Sequence, residues 1–308
     1  MSDTKRHTRF IEAPSAVVVG GVVTGLNTNH GTPHPTLVDG EVGKAPKAEE
    51  KPPPLHTRFQ IKPASESHEP KPLPLIAGSP WKHYDAHYRI KLGYSFGVVT
   101  PRDGPCLPRM IRAITGPNSE EHIQRFHQLC HPNIVKAMEA YDCPVDGSFL
   151  VSEFMLTFLR HLCQAPIYPN EPQLSSILHQ VLSGLDFLLK NDLVHEEVSV
   201  GNVLINSDGS VKICDMDRCQ RAGDAAKLLD SFSRLQMRLM DKEKDESDTI
   251  GLTRLGNWSD EALDMFTNAI SGSAVKELLG HPFMNKRDQA QLMWLVPYVS
   301  MTAFHSTD

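Results

Sequence analysis

The sequence predicts an α+β chain in which a small strand-rich half precedes a helical half, both behind a proline-rich tail. Three observations predict it. Prolines recur through residues 1–80, in "KAPKAEEKPPPLH" and "HEPKPLPLIAGSP", with no sustained helical or strand period between them. Short alternating segments bounded by glycine and proline begin near Trp81. Apolar residues at helical spacing then fill most of the chain from about Pro172 onwards.

The tail lacks the apolar density to offset its chain entropy and reads as disordered or extended. It carries one repeat: "HTRFIEAP" at 7–14 and "HTRFQIKP" at 56–63 share His-Thr-Arg-Phe and a later proline, the pattern of a duplicated docking peptide or of a relic. Its polyproline piece suits an SH3-type partner or a stiff linker.

"YRIKLGYSFGVVT" reads as two strands around a glycine turn and "PRMIRAI" as a third. In "SEEHIQRFHQL", Ile123, Phe126 and Leu129 are three apart, a helical spacing. "GSFLVSEFM" is another strand. "PQLSSILHQVLSGLDFLLKN" is a long helix with Leu174, Ile177, Leu178, Val181, Leu182, Leu185 and Leu188 on one broad face. "SVKICDMD" returns to strand, and Asp224 to Met240 to helix. The charged "DKEKDESD" reads as a solvated loop. In "NWSDEALDMFTNAI", Ser259 is placed to cap a helix whose first turn holds Asp260 and Glu261. "SAVKELLGHPF" is the last clear helix. The apolar "QLMWLVPYVSMTAF" is interrupted by Pro297, which makes it a packed or docking tail rather than a membrane anchor.

A net charge of −6 among 308 residues gives no basic face for nucleic acid or anionic membrane. Mean hydropathy is −0.30 and pI about 6.2. The six cysteines show no C-x-x-C pair, which suits free thiols in a reducing compartment. "AVVVGGVVTGL", although it follows basic residues, is too glycine-diluted and too short for a signal peptide or a span. Cytoplasm or nucleus is the expected location.

From about Trp81 to Phe283 the order of motifs resembles the eukaryotic protein kinase domain. "CHPNIV" is similar to the turn after that family's first large helix, "LVSEFM" to the strand entering its hinge, "LVHEEVSVGNVLI" to its catalytic loop, "VKICD" to its metal-binding strand and "SAVKELLGHPF" to its closing helix. The resemblance implies a bilobal fold with a β-rich upper lobe and a trimmed helical lower lobe. It divides the chain into a tail (1–80), a protein-kinase-like domain (81–285) and an apolar C-terminal tail (286–308).

Phosphoryl transfer requires a held triphosphate, Mg²⁺ to absorb charge and an aligned hydroxyl. By the resemblance, Gly93 and Gly97 remain of the phosphate-cradling glycines and Arg112 stands for the phosphate-holding lysine. The helical partner of that cation would be His122, one residue from Glu121 and so rotated by about 100°. His195 matches a packing histidine. Glu197 takes the base position, where an added methylene displaces the carboxylate by roughly 1 Å. Ser199 replaces a γ-phosphate lysine. Asn202 and Asp215, retained, are the implied Mg²⁺ ligands. Met216 replaces a phenylalanine, and Asp217 replaces a glycine, to add a metal contact or to cap a turn or face solvent. The implied ATP pocket has Leu92 and Val99 above the adenine, Ser152 at its back, Glu153 to Met155 as hinge and Leu204 beneath; Cys214 would border it.

The short run from Asp217 to the helix near Asp224 leaves no room for a long activation loop, no A-P-E precedes that helix, and Glu196 reverses the arginine that would receive an activating phosphate. The sequence therefore points to a degenerate kinase, or pseudokinase, able to bind ATP and Mg²⁺ and acting mainly through protein partners, some of them on the proline-rich tail. The alternative is an active atypical kinase phosphorylating a protein or small-molecule hydroxyl with Glu197 as base.

Overall fold

Alternation of apolar and polar residues after Trp81 builds a curled sheet, and the helical stripes that follow build a bundle beneath it. The computed structural model describes residues 9–10, 73–92, 94–114, 123, 126, 129–221 and 224–305. The sequence-based disorder of residues 1–80 falls largely outside them. The second His-Thr-Arg-Phe copy also lies outside.

The upper sheet has seven strands: β1 (Arg9–Phe10), β2 (Leu75–Ala77), β3 (Tyr84–Leu92), β4 (Tyr94–Pro101), β5 (Arg109–Ile114), β6 (Ala137–Cys143) and β7 (Gly147–Glu153). Their order is β1-β3-β4-β5-β7-β6-β2, antiparallel except for β2 on β6. The β3–β4 hairpin closes tightly, with Leu92 paired to Tyr94. β2 lies within the stretch that composition assigned to the tail, because Pro74 and its neighbours find ladder partners: the Ala140 amide donates to the Pro74 carbonyl at 2.8 Å. β6 has no clear alternation in the sequence and goes unpredicted, as a strand buried on one side only in part.

The lower lobe begins with β8 (Thr157–Phe158) and α1 (Leu159–Gln164) and is organised by α2 (Glu171–Lys190). Asn170 caps α2 by accepting the Gln173 amide while Gln173 returns to the Asn170 amide, and Pro172 sits in the first turn where no donor is lost. Its predicted apolar face is wholly buried; Leu174, Ile177, Leu178, Val181, Leu182, Leu185 and Leu188 are 0% exposed. Around it lie β9 (Leu193–His195), β10 (Val203–Ile205), β11 (Val211–Ile213), β12 (Cys219–Arg221), α3 (Ala225–Met240), α4 (Asp260–Ile270), α5 (Val275–Leu279) and α6 (Leu292–His305). Ser259 caps α4 as expected, accepting from the Ala262 amide.

Two expectations change. "DKEKDESD" is solvated along part of its length but also anchored: Lys242 Nζ donates to the Leu162 and Ala165 carbonyls at 2.7 and 2.6 Å, and Arg234 donates to the Glu246 and Asp248 carbonyls at 2.8 Å each. Lys242 is an internal fastener and Asp241 is buried, while Glu243, Asp245 and Asp248 stay exposed as expected. Pro297 does not break the C-terminal segment; α6 continues through it and buries Leu292, Leu295, Val296 and Val299 in the lower core. Among the described residues no helix is long and apolar enough to cross a membrane.

The "CHPNIV" turn joins the lobes. The Asn133 amide group donates to Gln180 Oε1 and to the Val211 carbonyl, while His131 stacks on Phe187 at 4.7 Å between ring centroids. Gly184 on α2 allows that approach, since a Cβ there would stand 3.0 Å from Ile213 Cδ1 and 3.1 Å from the Asn133 carbonyl.

Because α2 is the lower core's axis, Leu178→Ala is expected to destabilise the protein by about 2–5 kcal/mol. Urea denaturation of the two proteins checks this; a loss under 1 kcal/mol would mean that the α2 face is not packed as described.

Candidate functional site

Register decides which side chains reach the cleft between sheet and bundle. In an antiparallel pair, opposite residues share a face. Val98 is opposite Met110, and Met110 is opposite Ser152, so these three lie on one face together with Arg112, two residues beyond Met110. Val99 is opposite Arg109 and belongs to the other face, where it packs with Tyr84, Ile111, Tyr141 and Val151. Val99 therefore does not roof the cleft, as the resemblance implied; Val98 does. The shortened glycine turn is the reason, since a shift of one residue moves a side chain to the opposite face.

Gly97 also departs from its implied role. It lies within β4, opposite Ile111, and a Cβ there would come within 3.1 Å of Ile111 Cγ2. Close packing is a sufficient reason for glycine. Gly93 lies outside the described residues, and of Leu92 only the backbone pairing is described.

The cleft is filled by the protein itself. Phe96, Val98 and Met110 from the sheet, Met155 from the hinge, Phe158 and Leu204 from the floor, and Cys214 form one buried cluster. The Phe96 and Phe158 rings meet across the cleft, 5.8 Å between centroids and tilted by 47°. Such a pair adds about 0.5–1.5 kcal/mol beyond its area. Deeper in, between Arg112, Ser152 and Asp215, a cavity of about 20 Å³ remains, with room for a water molecule and not for a purine. Glu153, expected to offer hinge backbone, also accepts Lys212 Nζ at 2.7 and 2.8 Å through its carboxylate, tying hinge to floor.

Arg112 finds an acid in the short 3-10 turn Met216–Arg218. Both its terminal nitrogens donate to the Asp217 carboxylate, Nη1 at 3.0 Å, and both side chains are largely buried. The planar guanidinium suits this two-pronged contact as a lysine would not. Asp217 is largely buried in this arrangement and neutralises Arg112. Glu121 and His122 lie outside the described residues.

The catalytic-loop frame is held by backbone contacts. His195, 1% exposed, is kept neutral by burial; Nε2 donates to the Cys214 carbonyl at 3.0 Å while Nδ1 accepts the Glu197 amide. Asn202 donates to the Glu197 carbonyl at 2.7 Å and accepts the Ser199 amide at 2.9 Å. Glu197 itself is 59% exposed, and Arg218 bridges it and Glu196, 3.5 and 3.7 Å away. β12 pairs with β9 directly after Asp217, and Asp224 then caps α3, so the short route from Asp215 to the helix is a strand and not an activation loop.

Asp215 is the strained member. Its backbone is left-handed (φ 61°, ψ 42°), a region Asp tolerates better than most residues. Its carboxylate is buried, and Oδ1 has no hydrogen-bond partner. Burial pushes its pKa up to about 6, against the pull of Arg112.

The protein kinase domain family matches residues 114–236. Over that stretch the chain is similar to the eukaryotic protein kinase domain. Serine/threonine-protein kinase NLK2 of Xenopus laevis is 29% identical over 181 residues, 53% of this chain and 40% of that protein. The human eIF-2-alpha kinase GCN2 is 31% identical over 128 residues, 40% of this chain and 8% of that protein. The chain thus spans less than half the length of these kinases. Kinases use ATP and Mg²⁺, and here the two halves of that requirement fare differently. The Phe96–Phe158 contact and the small cavity do not fit the nucleotide base. Asp215 and Asn202 could offer oxygens to a metal; among the described residues no group of three His, Cys, Asp or Glu side chains is gathered for one.

The sequence reasoning missed Phe96, Val98, Met110 and Phe158 as cleft residues. Met110 and Val98 follow once Arg112 is taken to face the cleft, by parity and hairpin register. Phe158 carries no local signal.

The raised pKa of Asp215 has a stability consequence. Between the unfolded value near 4 and the folded value near 6, the native state binds the extra proton, so stability falls as pH rises through this window. Asp215→Asn removes the buried charge and is expected to stabilise the protein at pH 7.5 by on the order of 2 kcal/mol, with the difference fading towards pH 4. Thermal melts of both proteins from pH 4 to 8 check it; equal pH dependence would show that Asp215 is not a buried charge.

Proposed function

We propose that this domain is a pseudokinase that works through protein contacts and not by transferring phosphate. The observation that carries this reading is the contact of Phe96 with Phe158 where adenine would lie. Three features support it. Arg112 is occupied by Asp217, Ser199 leaves the γ-phosphate without its usual cation, and the strand β12 replaces the platform on which a substrate peptide would be held. Protein partners, some of them reached through the proline-rich tail, and a cytoplasmic or nuclear location complete the proposal.

A second reading keeps an active kinase with Glu197 as base, Arg112 on the phosphates and Asn202 and Asp215 on Mg²⁺. Its support is the buried, unpartnered Oδ1 of Asp215, an oxygen that a cation would satisfy. The readings separate in a phosphotransfer assay with γ-labelled ATP and Mg²⁺, following self-labelling and labelling of a hydroxyl-rich protein. The pseudokinase reading expects the full chain to match its Glu197→Gln and Asp215→Asn variants at background. Incorporation that falls about a hundredfold or more in Glu197→Gln would establish the enzyme instead.

A further inference from the structure

The closing helix α6 is uncharged on every side. From Gln289 to Thr307 the sequence holds no Asp, Glu, Lys or Arg, and a helix that is apolar all round belongs where all its faces are covered. The lower core covers one face, through Leu292, Leu295, Val296 and Val299, at spacings of three and four. The face turned away carries Met293, Trp294, Pro297, Tyr298 and Met301 in the open, with Trp294 83% and Met301 68% exposed. These five form one contiguous stripe, and an apolar stripe of that kind marks an interaction site where single exposed residues would not. It does not suit a lipid surface. Helices that lie on membranes are rich in Lys or Arg on their polar face, which this one lacks, and the chain's net charge of −6 opposes anionic headgroups.

We infer that this stripe of α6 is the contact between two copies of the chain, paired antiparallel about a two-fold axis beside Pro297 and Tyr298. Two observations select a second copy over a different protein. Trp294 and Met301 stand equally far from the midpoint between Pro297 and Tyr298, so the two-fold rotation sets Trp294 of each copy against Met301 of the other. A thioether against an aromatic ring is a favourable contact. The stripe also carries no charge, so it meets itself without like-charge repulsion and offers nothing to select a charged partner. Area permits the pairing. The five side chains offer on the order of 500 Å² per copy, since a large aromatic contributes about 200 Å² of it. Two copies then bury on the order of 1,000 Å², where specific interfaces begin. An interface of that size makes a weak, reversible dimer. The inference stands whether or not the cleft takes nucleotide.

The test is sedimentation equilibrium of the full chain, of Trp294→Glu, of Met301→Lys and of the double variant, over about 1 to 200 µM. Both positions are exposed, so the substitutions leave the core untouched, and melting curves show each variant to be folded. The natural chain is expected to move from 34.3 kDa towards twice that mass, with half-association on the order of 10 µM. Each single substitution is expected to weaken association about tenfold or more. The double variant should associate about tenfold more tightly than either single one, because the axis sets the new carboxylate against the new ammonium twice. Within one helix the two positions are seven residues apart, beyond the three or four at which side chains meet. A natural chain that stays monomeric at about 200 µM, or single variants that associate as tightly as it does, would overturn the inference. A double variant no tighter than the single ones would overturn the two-fold pairing.

Discussion

An apolar seal between the upper sheet and the floor strands governs this domain. Phe96 and Val98 press down from β4, Phe158 and Leu204 rise from β8 and β10, and Met110 and Met155 fill the sides. In a kinase that transfers phosphate this space must open to a purine. Here it contributes to holding the lobes together, alongside Glu153–Lys212 at the hinge and the "CHPNIV" turn pinned to α2 and β11. Opening the cleft would expose the cluster to water, at about 25 cal/mol for each Å² of apolar surface uncovered.

That constraint makes sense of which family residues persist. His195 fastens the loop to the strand before Asp215, Asn202 bridges two loop carbonyl and amide groups, and Asn133 ties the turn to α2. Each has a structural task that survives without chemistry. At the positions to which the resemblance assigns chemical tasks, Glu197 is exposed and paired with Arg218, position 199 is a serine, and Arg112 on β5 is neutralised by Asp217. Asp215 is the exception, a buried carboxylate with an unpartnered oxygen and a left-handed backbone, and so the point of stored electrostatic cost.

Much of this was legible in the sequence because it depends on periodicity and caps. The α2 stripe, the Ser259 cap and the short path from Asp217 to Asp224 are local features, and the structure matches them. What was not legible depends on partners far along the chain. The resemblance implies Val99 above the adenine, but the parity is set by pairing with β5, where Val98 meets Met110. The Arg112–Asp217 pair spans 105 residues, and Lys242 serves carbonyls about 80 residues away. No window of sequence contains both ends of such contacts.

The central claim is that the seal excludes nucleotide, and its most direct measurement is calorimetric titration of ATP, with and without Mg²⁺, into the natural chain and into Phe96→Ala. The account predicts no binding to the natural chain at millimolar ATP and measurable binding once Phe96 is removed. Mg²⁺-dependent binding to the natural chain, lost in Asp215→Asn, would contradict it.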